Sequence, residues 1–460
     1  MSMRRWLSTT RSRAGLRRRI EHWEPEDPAF WARTGHRVAT RNLICSILVE
    51  HLGFSIWLLW SVVVVYLPAA GFRFTADQLL WLVAVPNLVG ALLRLPYTFA
   101  VPMVGGRNWT VISALALLLP AGLLAWCAAD PATPYWMFVV AAATAGLGGG
   151  NFASSMANIS FFYPASRKGL ALGINAAGGN LGVAAVQAVI PVVISVGAGA
   201  HLVRAGLMWV PLVVAAAVVA LLFMDNLRVA ASGLAVPARA LRRGHTWTIS
   251  LLYLGTFGSF IGYSAALPML AAIAFPRSSG GHFVFLGALV GSLIRPVGGW
   301  LADRWGGGRV TAASFMALGA GVPIVLVALR EGDFGLFLGA FVLLFVAGGI
   351  GNGAVYRMIP AVFAARARQR AAGGVVSAGA LLRAGQEAAA AIGIASAVGA
   401  FGGFFVPRVI AMSLTSTRSV APALYAFLGF YVLCLIVTWW FYLRQRLLAG
   451  RAPSLAHAEV

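Results

Sequence analysis

The sequence predicts an all-α membrane protein with about twelve transmembrane helices in two pseudo-symmetric six-helix bundles. Three observations predict it. The 460 residues are 60% hydrophobic and only 10% charged, with a mean hydropathy of +0.83, which is too apolar for water-soluble domains of that length. Apolar runs long enough to cross about 30 Å of hydrocarbon recur along the whole chain. Finally, the second half repeats landmarks of the first at a constant offset.

Residues 1–41 form a polar, arginine-rich segment ahead of the first apolar run. A stretch that long and basic does not read as a cleavable signal peptide, and it is expected to stay in the cytoplasm. The predicted spans then follow at 42–68, 78–102, 109–129, 134–160, 168–197 and 205–224, forming a first bundle over 42–224. The longest central polar stretch, 225–246, carries Arg228, Arg239, Arg242 and Arg243 and reads as a cytoplasmic linker. A second bundle over 247–443 holds spans at 247–274, 281–302, 309–329, 334–362, 371–405 and 420–443, and 444–460 is a cytoplasmic tail. With the N-terminus inside, 25 Lys and Arg fall in cytoplasmic segments and 6 in outer ones, leaving Arg94, Arg295, Arg357 and Arg383 within spans. That asymmetry puts both termini in the cytoplasm of a multi-pass protein of the bacterial inner membrane. It also accounts for the net charge of +22 through sidedness, so no nucleic-acid partner is expected; the partners are the lipid bilayer and a transported solute.

The repeat has two independent markers. Arg94, Gly105-Gly106 and Thr110 recur as Arg295, Gly306-Gly307 and Thr311, each 201 residues later, and Gly150-Asn151 recurs as Gly351-Asn352 at the same offset. Parallel halves related by an axis along the membrane normal place a site at their interface, near the midplane. Cys45, Cys127 and Cys434 are widely spaced in apolar stretches and read as small core residues; no metal or cofactor is expected. No HExxH, nucleophile-base pair or paired acids are visible, so the chain does not read as an enzyme.

A charged side chain inside a span costs several kcal/mol, so an intramembrane arginine is a functional hypothesis in itself. Arg94 and Arg295 occupy equivalent repeat positions and are expected to face each other across the central cavity. Neither has an acid within a helical turn on its own span, so neither is expected to be paired locally. Two guanidinium forks of this kind suit a planar oxyanion such as nitrate or nitrite. Glycines at four-residue spacing, such as Gly169/Gly173, Gly178/Gly182 and Gly399/Gly403, let helices approach closely, either for static packing or to rock. Asn175 and Asn180 either donate to an oxyanion or tie helices together, with cargo contact favoured for Asn180.

The strings Gly148-Gly-Gly-Asn-Phe-Ala-Ser-Ser-Met-Ala-Asn-Ile-Ser-Phe-Phe-Tyr-Pro164 and Gly169-Leu-Ala-Leu-Gly-Ile-Asn-Ala-Ala-Gly-Gly-Asn-Leu-Gly182 resemble the NarK-type nitrate/nitrite porters of the major facilitator superfamily. The resemblance runs from His22-Trp-Glu-Pro-Glu-Asp-Pro-Ala-Phe-Trp31 through Leu93-Arg94-Leu-Pro-Tyr97 and Ser250-Leu-Leu-Tyr-Leu-Gly-Thr-Phe-Gly-Ser-Phe-Ile-Gly262 to Gly399-Ala-Phe-Gly-Gly-Phe-Phe-Val-Pro407. The stretch Gly299-Trp-Leu-Ala-Asp303-Arg304-Trp-Gly-Gly-Gly-Arg309 is similar to the superfamily's loop motif, whose first copy, Val104-Gly-Gly-Arg107, lacks the acid. The resemblance implies nitrate and nitrite as substrates, with Arg94 and Arg295 as the substrate arginines. It implies an aromatic cavity made by Phe54, Phe152, Tyr253 and Phe257. It also implies signature glycines, Gly173, Gly178, Gly179 and Gly182 on the fifth span and Gly399, Gly402 and Gly403 on the eleventh. Ala177 departs from the usual glycine of the signature.

Unpaired facing arginines would resist closing around an empty site, which favours nitrate/nitrite exchange by alternating access in a single chain. The alternatives are proton-coupled nitrate symport and a non-transporting membrane sensor. Symport needs a titrating group, for which Glu50, His51 and Glu387 are the candidates, with Glu50 and His51 otherwise facing a water-filled vestibule. Glu387 lies four residues after Arg383, a spacing that predicts an intrahelical ion pair, and Arg357 is expected to line the vestibule or meet lipid phosphate.

Overall fold

The computed structural model describes residues 19–197, 201–227, 239–370, 377–444 and 455. Among them, twelve helices are long and apolar enough to cross a membrane. They are α1 Pro28–Tyr66, α2 Ala76–Val104, α3 Gly106–Cys127, α4 Tyr135–Phe162, α5 Ser166–Ser195, α6 Leu202–Phe223, α7 Gly244–Ala274, α8 Gly281–Trp305, α9 Gly307–Glu331, α10 Phe334–Arg370, α11 Gly379–Thr417 and α12 Ala421–Leu443.

The first helix begins well before the expected 42. Asp27 caps it by accepting from the Ala29 amide, and Pro28 occupies the first turn, so a polar helical extension precedes the apolar run. Hydropathy marks only the lipid-facing length of a helix. The same reason carries α11 past 405 to Thr417, with its bend at Phe401, where the backbone of Gly402 restarts the helix. Residues 1–18, the linker part 228–238 with Arg228, the stretch 371–376 and most of the tail lie outside the described residues.

Within the first six helices, α2 packs on α4 and α1 on α4 and α5; within the last six, α8 and α9 pack on α10. The two sets meet along α2 with α11, α5 with α8, and α1 with α7. The turns between α2 and α3 and between α8 and α9 carry the repeat into backbone geometry. Gly105 (φ 92°, ψ 143°) and Gly306 (φ 87°, ψ 133°) hold the same conformation, one that disfavours any side chain. Equivalent glycines also set equivalent crossings: Gly90 of α2 lies against Gly149 of α4, and Gly291 of α8 against Gly349 of α10.

Polar ties gather at the end of the bundle where residue 19 and Arg444 lie. A short parallel strand pair joins Arg19–Ile20 to Asn226–Leu227, and Arg41 pairs with Asp225, which also accepts from Asn42 Nδ2 at 3.0 Å. Arg357, half exposed, pairs with Asp303 of the loop motif. At the opposite end, Arg408 of α11 bonds Asp77 of α2 at 2.8 Å and covers the Trp81 ring at 3.9 Å, joining the two sets of helices.

Small-residue contacts between helices are the feature most easily tested. At Gly402 a methyl group would run into the backbone of Gly258 on α7, whereas at Gly173 it would meet nothing within 4 Å. Gly402→Ala is expected to destabilise the protein by about 1–3 kcal/mol through overpacking, and Gly173→Ala to leave it unchanged, as read by thermal unfolding in detergent. Equal unfolding temperatures for the two would contradict the close α7–α11 approach.

Candidate anion-binding site

Arg94 extends from α2 toward α4 and α11 and is fully buried. Its Nε donates to the Gly149 carbonyl at 3.2 Å and its Nη1 to the Ser396 carbonyl at 2.7 Å, while Nη2 has no protein partner. Three rings enclose the guanidinium: Phe152 at 4.6 Å, Trp57 at 5.3 Å and Phe257 at 5.4 Å from their centroids. Phe54 backs this wall, 5.9 Å from Phe152 and 5.2 Å from Trp57. The rings supply their electron-rich faces to a cation without contributing a formal negative charge.

Arg295 reaches in from α8. Its Nη2 donates to the Tyr253 hydroxyl at 3.2 Å, its guanidinium lies 5.4 Å from the Tyr356 centroid, and its Nη1 has no protein partner. Tyr253 and Phe257 stack at 5.2 Å on a stretch of α7 containing a π-helical turn over Leu254–Gly258. One face of this stack serves Arg295 through the Tyr253 hydroxyl, and the other end lies against Arg94. Arg94 and Arg295 are thereby linked through the Phe257–Tyr253 stack, with Phe54 and Phe152 on the Arg94 side, all of them buried.

Glu50 completes the charge pattern. It is fully buried on α1, its Oε2 accepts from Ser155 Oγ and, at 2.7 Å, from Asn175 Nδ2, and its Oε1 has no partner. Among the described residues no ion pair joins it to Arg94 or Arg295. Glu50 does not face a watery vestibule, which corrects that expectation.

The remaining candidates separate cleanly. Asn180 is buried with neither amide atom bonded to protein, as a cargo donor would be. Asn175 instead spends its amide nitrogen on Glu50 and on Ser155 Oγ at 2.6 Å, so it ties α5 to α1 and α4. His51 bonds the Gly178 carbonyl at 3.1 Å through Nδ1 and points to the α5 backbone, away from the arginines. Gly178, Gly179 and Gly182 press on Ile47, Glu50 and the His51 carbonyl, while Gly399 and Gly403 press on Tyr253 and Asn87. Gly173 is not a contact glycine. Glu387 is clamped by Arg243, with Nε and Nη2 each 2.9 Å from a carboxylate oxygen, and not by Arg383; it stands apart from the arginine space.

Sequence reasoning missed Trp57 and Tyr356. Trp57 follows Phe54 by three residues, the spacing that shares a helix face. Tyr356 lies 201 residues after Ser155, the residue that holds Glu50, so the repeat offset itself carried the signal. Its hydroxyl is buried and unpartnered beside Arg295.

Comparison with known proteins agrees with this architecture. Residues 51–385 match the model of the Major Facilitator Superfamily. The nitrate/nitrite transporter NarU of Escherichia coli (strain K12) is 41% identical over 447 residues, covering 93% of this chain and 96% of its own length. The probable nitrate/nitrite antiporter NarK2 of Thermus thermophilus is 33% identical over 464 residues, covering 93% and 97%. Among solved structures, a D-xylose-proton symporter superposes with a TM-score of 0.61 at 16% identity, over 86% of this chain and 97% of its own, and shares the fold alone. The chain belongs to the NarK-type nitrate/nitrite porters of the major facilitator superfamily, a family of transporters and not of enzymes.

The contrast between the two asparagines gives a test. Asn175→Ala strips a donor from a buried carboxylate and is expected to cost about 1–3 kcal/mol of stability, whereas Asn180→Ala, which breaks no protein bond, is expected to cost less than about 1 kcal/mol. Thermal unfolding of the two variants side by side checks the order; a more damaging Asn180→Ala would contradict it.

Proposed function

We propose that this chain carries nitrate and nitrite across the bacterial inner membrane by exchange, one anion at a time held between Arg94 and Arg295. The observation that carries the reading is the pair of buried guanidiniums at equivalent repeat positions, each with an Nη that has no protein partner. Such donors in a low-dielectric space demand an acceptor, and a small planar anion fits their geometry. The names of the relatives, nitrate/nitrite transporter and nitrate/nitrite antiporter, agree with that cargo.

The charge pattern explains why loading and movement are coupled. The two buried guanidiniums repel each other when the site is empty, and a bound anion relieves that repulsion. The bundles close around a site whose charges are offset far more readily than around an empty one, so the loaded carrier rocks while the empty one is held back. The units that rock are 42–224 and 247–443, with both termini cytoplasmic, and a single chain contains the whole site. Asn180 supplies a further amide donor to the anion. Phe54, Phe152, Tyr253 and Phe257 wall it off from water, and the glycines of α5 and α11 are the sliding surfaces. The Asp77–Arg408 pair is the latch that parts when the outer side opens.

One observation favours a second reading, proton-coupled nitrate uptake. Glu50 is fully buried with its Oε1 unpartnered, has His51 next to it in the chain, and would change the charge of the site by one on gaining or losing a proton. In that scheme Glu50 takes up a proton with each anion.

Nitrate uptake into proteoliposomes separates the two. Exchange predicts uptake that requires internal nitrite and ignores an imposed pH gradient, and Arg94→Gln or Arg295→Gln is expected to lower it by about a hundredfold or more, the loss of a charge-assisted contact. Uptake into nitrite-free vesicles driven by an inward proton gradient, and abolished by Glu50→Gln, would replace exchange with symport.

A further inference from the structure

A second basic site lies away from the arginine space. A cavity of about 740 Å³ opens among the ends of α7, α10, α11 and α12, on the side of the bundle that holds Arg444. Six arginines line it against a single carboxylate, Glu387. No residue of α1 to α6 contributes, so the cavity is off the path between the two sets of helices. Its polar wall is internally organised. Arg366 donates to His245 Nε2 through Nε at 2.9 Å, and Arg243 grips Glu387 through two bonds. Arg370 and Arg383 come from the facing ends of α10 and α11, and Phe363 and Phe441 supply an apolar wall.

We propose that this cavity binds a phosphate ester, the headgroup of an anionic phospholipid of the surrounding leaflet. Arginine forks arriving from α10, α11 and the segment just before α7 can surround a tetrahedral phosphate from several directions, and the excess of cations over the single acid exceeds what one nitrate would offset. Exposed Trp247 and Trp439 stand beside the cavity, and the Trp247 indole is fixed by a bond to the Leu241 carbonyl at 2.9 Å. Exposed tryptophans of this kind sit at headgroup level, and a basic pocket between helix ends at that depth suits an anionic headgroup. The apolar wall then meets the glycerol and upper acyl carbons. Because Glu387 and Ser396, the acceptor for Arg94, lie on the same helix, a bound headgroup steadies the helix that closes on the cargo arginine.

The test is native mass spectrometry of the full chain released from nanodiscs of phosphatidylglycerol or of phosphatidylcholine. The wild type is expected to retain phosphatidylglycerol at least about tenfold better than phosphatidylcholine. The combined Arg366→Gln, Arg370→Gln and Arg383→Gln variant is expected to lose that preference, and the corresponding lysine variant to keep most of it. A second arm titrates inorganic phosphate into phosphatidylcholine nanodiscs. Phosphate binding with the same variant sensitivity, without phosphatidylglycerol retention, would keep the phosphate site but overturn the lipid as its source. A thermal shift of the wild type by phosphatidylglycerol over phosphatidylcholine supports the proposal even if the glutamine variant fails to fold. Equal retention of both lipids by the wild type, with no phosphate binding, overturns it.

Discussion

A guanidinium in the middle of a bilayer cannot be left without acceptors, and the structure is organised around meeting that demand only in part. Arg94 receives two carbonyls and three aromatic faces, Arg295 receives one phenol and one aromatic face, and each keeps an unpartnered nitrogen. Full satisfaction by protein groups would make a stable static core. Partial satisfaction leaves a place for an acceptor that comes and goes, which is what a carrier needs.

Much of the rest follows from bringing those side chains together from separate helices. The Gly149 carbonyl reaches Arg94 because glycine at that position lets the Trp57 indole lie against α4. The Ser396 carbonyl reaches it because α11 runs against α2, and α11 meets α7 closely through Gly402 and Gly258. The π-helical turn of α7 lies in the stretch that aligns Tyr253 with Phe257, so one pair of rings serves both arginines. Glu50 on α1 is held by Ser155 of α4 and Asn175 of α5.

The fold was legible in the sequence because hydropathy and the repeat are both long-range regularities. The span count and the equivalent repeat positions of Arg94 and Arg295 could be read from them. Helix ends were less legible, since the polar extension of α1 at Pro28 and the run of α11 to Thr417 lie beyond what lipid requires to be apolar. The aromatic walls were reached only through family resemblance, because a lone membrane phenylalanine carries no signal of its own. What stayed hidden were partnerships across helices: Glu50 with Ser155 and Asn175, Arg243 with Glu387, and Arg357 with Asp303. A local i to i+4 search assigns Glu387 to Arg383, and only the three-dimensional packing reveals the nearer partner.

The central claim is that both arginines serve one anion. Calorimetric titration of nitrate into the purified protein tests it directly, comparing wild type with Arg94→Lys and Arg295→Lys, which keep the charge but lose the planar fork. The account predicts one nitrate per wild-type chain and binding weakened by about tenfold or more in each variant alone. Undiminished binding in either variant, or two independent nitrates per chain, would contradict it.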